Sequence, residues 1–129
     1  RPMLSGFQDA IVNIKPHLQA RYTVFSNLDG HVLAAENLDS SYWAEQLRNP
    51  VDFIACANSA YNSGNSHFLE VGPQPILCGL LAKILGQESN LVTLHSLNKR
   101  QPAHISLLNT ACYIDSYYSP LDLSKFAHY

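Results

Sequence analysis

The chain has 129 residues, the size of one ordinary domain, and 47% of them are hydrophobic. Its formal net charge is −2 and its basic residues form no run longer than Lys99-Arg100, which argues against DNA or RNA as a partner. No apolar stretch approaches the roughly 20 residues that cross a bilayer, and residues 1–20 lack the pattern of a signal peptide. We therefore expect one compact, cytoplasmic domain with no nucleic-acid or membrane partner.

Only 14% of the residues are charged, against roughly 25% in typical soluble domains. Two explanations stay open. Part of the surface is covered by protein that this chain lacks, because exposed apolar area usually marks an interface. Alternatively, the many Asn, Ser, Gln and His residues supply an uncharged polar surface.

The cysteines and histidines predict neither disulfides nor a metal site. Cys56, Cys78 and Cys112 are odd in number and lie among small or apolar neighbours, so we interpret them as reduced thiols of the core. The six histidines show no ligand spacing such as H-x-x-x-H, and we predict no bound metal.

In the first half of the chain, apolar residues at three- and four-residue steps predict a helix over residues 3–15, ended by Pro16. The β-branched and aromatic run 22–25 predicts a first strand, and residues 27–30 have the composition of a turn.

Two further helices are predicted before the middle of the chain. Ser40-Ser41 is a suitable cap for a helix that starts near Tyr42 and ends at Asn49-Pro50. That pair in turn supplies a cap and a first-turn proline for a following helix, in which Val51, Ile54 and Ala55 begin a buried face.

The second half alternates strands with helices. Strands are predicted over 67–71 and 91–94, and helices over 77–84 and 105–112. Such alternation is typical of βαβ units, so we predict an α/β fold with a short parallel sheet flanked by helices.

The chain contains no motif that identifies an active site by itself: no G-x-S-x-G elbow, P-loop, dinucleotide-binding glycine fingerprint or cysteine–histidine pair at a known spacing. Four blocks in a fixed order are more informative. They are Arg1-Pro2-Met3-Leu4 with Phe7, Ser26-Asn27-Leu28-Asp29-Gly30, Tyr42-Trp43-Ala44-Glu45-Gln46-Leu47-Arg48-Asn49-Pro50-Val51-Asp52-Phe53, and Phe68-Leu69-Glu70-Val71-Gly72-Pro73-Gln74-Pro75-Ile76-Leu77. Together they resemble the second half of acyl-CoA:acyl carrier protein acyltransferase domains, and the third and fourth blocks are the specific ones.

The resemblance implies a part of an α/β-hydrolase-like large subdomain. It assigns residues 1–118 to the C-terminal portion of an acyltransferase domain and residues 119–129 to the start of a post-acyltransferase linker, as in a modular polyketide synthase. Such a domain transfers a malonyl-type acyl group from CoA to the phosphopantetheine thiol of an acyl carrier protein through a Ser-His dyad. The family pattern places that serine and histidine upstream of Arg1, so the chain should contain no catalytic residue, bind no cofactor and be inactive alone. Its expected partners are the carrier protein and the missing N-terminal part of the domain.

One supporting residue of the active site carries over by resemblance. Gln46 matches the position whose backbone carbonyl accepts the Nδ1–H of the dyad histidine and fixes its tautomer. Without the resemblance, Gln46 would be interpreted as a solvated polar residue late in a helix.

The other polar residues of these blocks have structural interpretations. We expect Arg48, Asn49 and Pro50 to form a helix boundary, and the amphipathic rings of Tyr42 and Trp43 to pack with bonded polar tips. Gly72-Pro73, Asn27 and Asn62 fit turns, and His95 a structural histidine.

Two rival functions stay open at this point. The chain could be a non-catalytic structural or interaction piece of a split or truncated acyltransferase. It could also be a small α/β binding module whose sequence matches the family pattern by chance.

Overall fold

The computed structural model describes residues 2–13, 21–86, 88, 90–118 and 120–121. The chain divides into two compact units, Arg1–Gly64 and Asn65–Tyr129, where composition predicted a single one. The first unit contains three α-helices: α1 (Pro2–Ile11), α2 (Ser40–Arg48) and α3 (Phe53–Asn62). The second unit contains two strands and two helices: β1 (His67–Glu70), α4 (Ile76–Ile84), β2 (Val92–His95) and α5 (Ala103–Tyr117).

Helix α1 is shorter than its sequence pattern predicts. It ends at Ile11 instead of residue 15, and Ile14 and Pro16 lie outside the described residues. The helix packs against α2 within the first unit. The predicted linker at residues 119–129 lies almost wholly outside the described residues as well.

The strand predicted over residues 22–25 is absent from this part of the structure. Phe25 alone pairs, in an isolated antiparallel bridge with Val32 across the turn between them. Leu33 N–H donates to the carbonyl of Val24, and no longer strand lies beside the segment. A β-branched run becomes a strand only where a neighbouring strand offers a ladder, and the local pattern carries no information about such a neighbour.

Helices α2 and α3 begin at aspartates and not at the caps that the sequence suggested. The Asp39 carboxylate accepts a hydrogen bond from Tyr42 N–H at 2.9 Å, which places Ser40-Ser41 inside the first turn of α2. The Asp52 carboxylate caps α3 in the same way through Ala55 N–H at 2.9 Å. Asn49-Pro50 therefore ends α2, as expected, without starting α3.

The buried face predicted at the start of α3 is wrong at Val51 and Ile54. Val51 and Ile54 are 58% and 60% exposed, and the buried residue of this helix is Ala57. Ala55, the third residue of the predicted stripe, is half-buried and lies against Gly30.

The parallel βαβ unit is confirmed in the second unit. Strands β1 and β2 pair in parallel with His67 opposite Val92 and Glu70 opposite His95, and α4 connects them. Helix α4 packs against both strands and α5 packs against β2. Helix α5 runs from Ala103 to Tyr117 and is thus longer than the predicted 105–112.

The core of the second unit lies under α4 and α5. Cys78, Leu81 and Leu85 follow one another at helical spacing and are buried, and the Cys78 thiol donates to the Leu94 carbonyl at 3.2 Å. Cys78 is thus a core thiol as predicted, whereas Cys112 is exposed on α5 and contradicts that prediction. Within the described residues no helix has the length and apolar character needed to span a membrane.

Ser106 is the most deeply buried side chain of α5. It is 1% exposed, and its hydroxyl has no hydrogen-bond partner within the described part of the chain. A hydroxyl group removed from water without a partner costs free energy, although the small side chain lets the helix lie close to its neighbours.

Ser106→Ala should therefore raise the free energy of unfolding by about 1 kcal/mol, because it removes the unpaired hydroxyl and leaves the packing almost unchanged. Urea denaturation followed by circular dichroism measures this. Ser116→Ala on the same helix is the control, since Ser116 is exposed and its hydroxyl donates to the Cys112 carbonyl. A Ser106→Ala chain less stable than the Ser116→Ala chain would contradict the interpretation.

Candidate functional site

The C-terminal end of α2 presents a backbone carbonyl that no helical hydrogen bond satisfies. Asn49 N–H closes the helix by donating to the Glu45 carbonyl at 2.8 Å, and Asn49 itself is extended, with φ −88° and ψ 154°. The helical donor for the next carbonyl, that of Gln46, would be the N–H of residue 50. That residue is Pro50, which has no N–H. The Gln46 carbonyl is therefore left open to another donor.

The Gln46 side chain adds a second unsatisfied acceptor. Its amide oxygen Oε1 is buried and has no hydrogen-bond partner among the residues that the structure describes. Leaving a buried acceptor unpaired costs about 1–3 kcal/mol. A donor from outside the described residues that reaches Oε1 would remove this cost. The carbonyl oxygen and the side-chain oxygen of Gln46 are thus both free to accept such a hydrogen bond among the described residues.

The loop of residues 26–30 holds the boundary between α2 and α3 in position. Asp52 N–H donates to the Asn27 carbonyl at 2.7 Å, and the Tyr42 hydroxyl donates to Ser26 Oγ at 3.4 Å. Two of the blocks singled out in the sequence therefore contact each other. Tyr42 bonds its polar tip as predicted, and Asn27 lies in a turn as predicted.

Gly30 makes this contact possible. Its backbone has a positive φ of 76°, and a Cβ added there would lie 2.6 Å from the backbone carbon of Ala55. Any larger residue would push the loop away from α3, since both the conformation and the space favour glycine. The sequence showed Gly30 only as a turn residue and gave no signal for this close approach.

The ionisable groups beside this boundary are not arranged as a nucleophile and a base. Burial, and next the nearby Asp52 carboxylate, raise the pKa of the Cys56 thiol, which keeps it protonated and weakly nucleophilic. A hydrogen bond from the His31 backbone N–H is the main cause that lowers the pKa of Asp29, which lies at the surface. The chemistry offered at the end of α2 is thus hydrogen-bond acceptance.

The carboxyl ends of β1 and β2 form the other place where an α/β fold commonly binds a ligand. Here the Glu70 carboxylate already occupies the start of α4, accepting from Ile76 N–H at 3.1 Å and Cys78 N–H at 2.9 Å. The Ser96 hydroxyl bonds both the N–H and the carbonyl of Gly72, at 3.0 and 3.2 Å. The turn at Gly72-Pro73 therefore has the structural role that its sequence suggested.

Glu70 keeps its charge in this position. Burial raises the pKa of its carboxyl, but the hydrogen bonds from the backbone N–H groups of Cys78, Leu77 and Ile76 outweigh burial, and the pKa lies below its ordinary value. Sequence patterns did not reveal this role of Glu70, because its partners lie six and eight residues further along the chain. Within the described residues, no three His, Cys, Asp or Glu side chains come close enough together to hold a metal ion.

Comparison with known proteins identifies polyketide synthases with similar sequences. The chain is 33% identical over 101 residues to the PKS-NRPS hybrid synthetase ATPKS of Aspergillus niger, and 31% identical over 104 residues to the non-reducing polyketide synthase men2 of Menisporopsis theobromae. These matches cover 67% and 77% of the chain, which spans only 5% of the length of each relative. No protein-family model matches the chain.

Solved structures give the fold. The acyltransferase domain from the second module of the salinomycin polyketide synthase superimposes on 98% of the chain with a TM-score of 0.85 and 24% identity. A loading acyltransferase from the avermectin modular polyketide synthase superimposes on 88% of it with a TM-score of 0.74 and 21% identity. The chain covers 29% and 36% of those two chains.

Relatives and fold together place this chain with the acyltransferase domains of polyketide synthases. It corresponds to the C-terminal portion of such a domain, because the matched blocks follow the order of that portion and almost the whole chain superimposes on one acyltransferase domain.

Glu70→Gln tests the contact between β1 and α4. The folded-state pKa of Glu70 lies below its unfolded value of about 4.5, so its charge stabilises the fold above that pH and this contribution is lost as the pH falls through the folded-state pKa. At pH 7 the variant should lose about 1 kcal/mol or less of unfolding free energy, since the site is partly exposed. As the pH falls through the folded-state pKa of Glu70, the variant should approach the stability of the original chain.

Thermal or urea denaturation at several pH values between 3 and 7 measures this difference. Glu36→Gln is the control, because it removes the same charge from an exposed side chain. Equal losses for the two variants at pH 7 would show that general charge, and not the cap of α4, explains the effect.

Proposed function

We propose that the chain is part of an enzyme domain that transfers a malonyl-type acyl group from CoA to the phosphopantetheine thiol of an acyl carrier protein. The observation that carries this proposal is the open Gln46 carbonyl, at the position where the acyltransferase pattern requires an acceptor for the dyad histidine. The likeness to polyketide synthase acyltransferase domains supports it.

In this proposal Gln46 is a positioning residue. Its carbonyl accepts the Nδ1–H of a histidine that lies upstream of Arg1, which leaves the Nε2 lone pair directed at the nucleophilic serine. Orientation is the requirement, because the acceptor must fix one tautomer and one ring angle. A backbone oxygen held by a helix end can meet that requirement without a carboxylate, provided that no other N–H competes for it. Pro50 removes the nearest competitor.

The chemistry would run in two half-reactions. The serine oxygen attacks the thioester carbonyl while the histidine takes its proton, and the proton then passes to the departing CoA sulfur. In the second half, the histidine takes the proton of the phosphopantetheine thiol, whose sulfur attacks the acyl-serine ester, and the proton returns to the serine oxygen. The chain itself supplies the orientation of the base.

The partners in this proposal are an acyl carrier protein and the N-terminal part of the acyltransferase domain, and the expected compartment is the cytoplasm. The CoA thioester is the substrate of the complete domain, and we expect the 129-residue chain to bind no cofactor of its own. A purely structural role, as one piece of a split acyltransferase, is the alternative. The agreement of almost the whole chain with one domain argues against an unrelated binding module.

The chain alone should form no acyl-enzyme, because it contains neither an elbow serine nor a dyad histidine. The polypeptide extended upstream to include the G-H-S-x-G segment should form one. Incubation of both with radiolabelled malonyl-CoA, followed by denaturing electrophoresis, measures the adduct. A stable label on the 129-residue chain would contradict the proposal, and an unlabelled extended polypeptide would favour the structural alternative.

Substitutions at Gln46 separate its carbonyl from its side chain. In the extended enzyme Gln46→Ala should lower kcat by less than about tenfold, since the backbone oxygen remains. Gln46→Pro should cost about 3 kcal/mol or more of stability and abolish transfer, because a proline inside α2 displaces that oxygen. A folded Gln46→Ala enzyme as inactive as a serine knockout would transfer the role to the side chain.

Pro50→Ala tests the role of the Gln46 carbonyl without breaking α2. It restores an N–H four residues after Gln46 and lets the helix continue, so that this N–H competes for the carbonyl. We expect a lower kcat with little change in KM, and a change in the pH dependence of kcat, which a loss of stability alone would not produce. An unchanged pH profile would contradict the role of the carbonyl.

A further inference from the structure

We propose that four aromatic side chains at the C-terminal end of α5 form a docking surface for an arginine from another domain of the synthase. They are His67 at the start of β1, Tyr113 and Tyr117 on α5, and Tyr118 directly after it, and we call them the aromatic cluster. All four belong to the second unit. The inference uses the family of the chain and does not depend on the acyl transfer proposed above.

The rings of the aromatic cluster contact one another. Tyr113 and Tyr117 are one helical turn apart, and their rings stack with centroids 4.5 Å apart and an interplanar angle of 16°. The His67 ring lies 6.3 Å from the ring of Tyr113 and 5.4 Å from that of Tyr118. These separations are those of interacting aromatic pairs, so the four rings form one continuous surface.

Packing within this chain leaves much of that surface exposed. Tyr117 is 67% exposed, Tyr118 is 57% exposed, and His67 is exposed as well. Contiguous exposed aromatic area usually marks an interaction site, and tyrosine is enriched where proteins meet. The inside of a domain would need a hydrogen-bond partner for each phenol hydroxyl, whereas contacts between domains tolerate polar groups at their rim. The aromatic cluster therefore fits a contact between domains.

The electrostatics of the aromatic cluster select a cation as its partner. The faces of aromatic rings carry negative charge and attract ammonium and guanidinium groups. The cluster lies where α5 ends, and the carbonyl groups at the end of a helix also favour a positive charge. Residues 103–121 contain no lysine or arginine, and their one acidic side chain, Asp115, lies in the last turn of α5. The end of this helix thus adds to the attraction for a cation.

The three tyrosines favour a guanidinium group over an ammonium group. Burial, and next the neighbouring Tyr117 and Tyr118, raise the pKa of Tyr113, so its phenol stays a neutral hydroxyl that accepts hydrogen bonds. A planar guanidinium can lie on a ring and donate to a phenol oxygen at its edge, which a compact ammonium does less well. The first unit contains a related contact, because the Arg21 guanidinium carbon lies 5.7 Å from the centre of the Tyr22 ring.

The size of the relatives explains how one such contact can matter. The chain spans only 5% of the length of the Aspergillus and Menisporopsis synthases, so most of such a polypeptide lies outside the matched region. A contact within one polypeptide benefits from a high effective concentration. An arginine on an aromatic surface, too weak to hold two separate proteins together, is sufficient to favour one arrangement of two linked domains.

NMR of 13C-labelled tyrosine rings tests the chemistry, in the polypeptide extended upstream to include the elbow serine. The probe peptide acetyl-Gly-Arg-Gly-amide should shift the ring signals of Tyr113, Tyr117 and Tyr118 with a Kd of about 10 mM or lower. The same peptide with citrulline, a neutral side chain of nearly the same shape, should shift them at least about fivefold less. Equal shifts would show stacking without recognition of charge and would overturn the proposal, as would no shift with the arginine peptide.

Two variants and a matched control locate the binding. Tyr117→Leu removes an exposed ring and should weaken binding of the arginine peptide at least about fivefold, whereas Tyr117→Phe keeps the ring and should stay within about threefold of the original. Tyr22→Leu, the control, removes an exposed tyrosine from the first unit and should leave the Kd unchanged. Circular dichroism confirms that each variant is folded. Equal weakening by Tyr117→Leu and Tyr22→Leu would contradict a site at the aromatic cluster.

Photo-crosslinking in the complete synthase identifies the occupant. With p-benzoylphenylalanine in place of Tyr117, irradiation should cross-link this position to an arginine-bearing segment of another domain of the polypeptide, identified by mass spectrometry. The same group in place of Tyr22 should not give that cross-link. A cross-link confined to the acyltransferase domain, or no cross-link, would overturn the proposal.

The outcomes also separate this inference from the proposed function. The aromatic cluster lies at the amino end of β1, whereas ligands of α/β folds bind at the carboxyl ends of the strands, so Tyr117→Leu should keep acyl transfer within about twofold of the original. An extended polypeptide that binds the arginine peptide but forms no acyl-enzyme would overturn the proposed function alone. One that forms the acyl-enzyme but does not bind the peptide would overturn this inference alone.

Discussion

The helix that carries the candidate site ends because of one covalent constraint. A proline ring at position 50 disfavours helical geometry at Asn49 and provides no N–H, so α2 closes on the Glu45 carbonyl and leaves the next one free. The chain then runs extended into Asp52, where the bond to the Asn27 carbonyl and the close contact of Gly30 with Ala55 fix its direction. The position of the Gln46 carbonyl is thus fixed by α2 before it and by the contacts of the 26–30 loop after it. These are backbone contacts and do not depend on long side chains.

Local patterns predicted the second unit better than the first. The strands and α4 were predicted to within about one residue at most ends. Each has a clear apolar period, and Gly72-Pro73 and Gly86 mark where β1 and α4 end. Residues 22–25 failed because a strand depends on a partner, which no local window contains. The predicted caps lie one to three positions from the observed ones, since Asp, Ser and Asn can all cap a helix start and only the geometry selects one of them.

The site shows a similar division. Gln46 could be proposed only through the resemblance, because Pro50 removes the helical donor of its carbonyl but does not indicate what that carbonyl binds. Its buried amide oxygen and the Glu70 cap depend on packing and on contacts between separate elements, so no sequence window could show them. The low charge content did carry information. Exposed apolar side chains such as Met3 and Val71 favour the explanation that other protein covers this surface.

The carboxylate at the start of α4 also limits where an anion can bind. Helix N-termini next to a strand end are ready phosphate sites in many α/β proteins, and CoA and phosphopantetheine both carry phosphates. In this chain Glu70 is an internal substitute for that phosphate, and it would repel a second anion at the same place. If the proposed acyl transfer is right, the phosphates of the acyl donor bind at a place other than this helix start, because a carboxylate already occupies it.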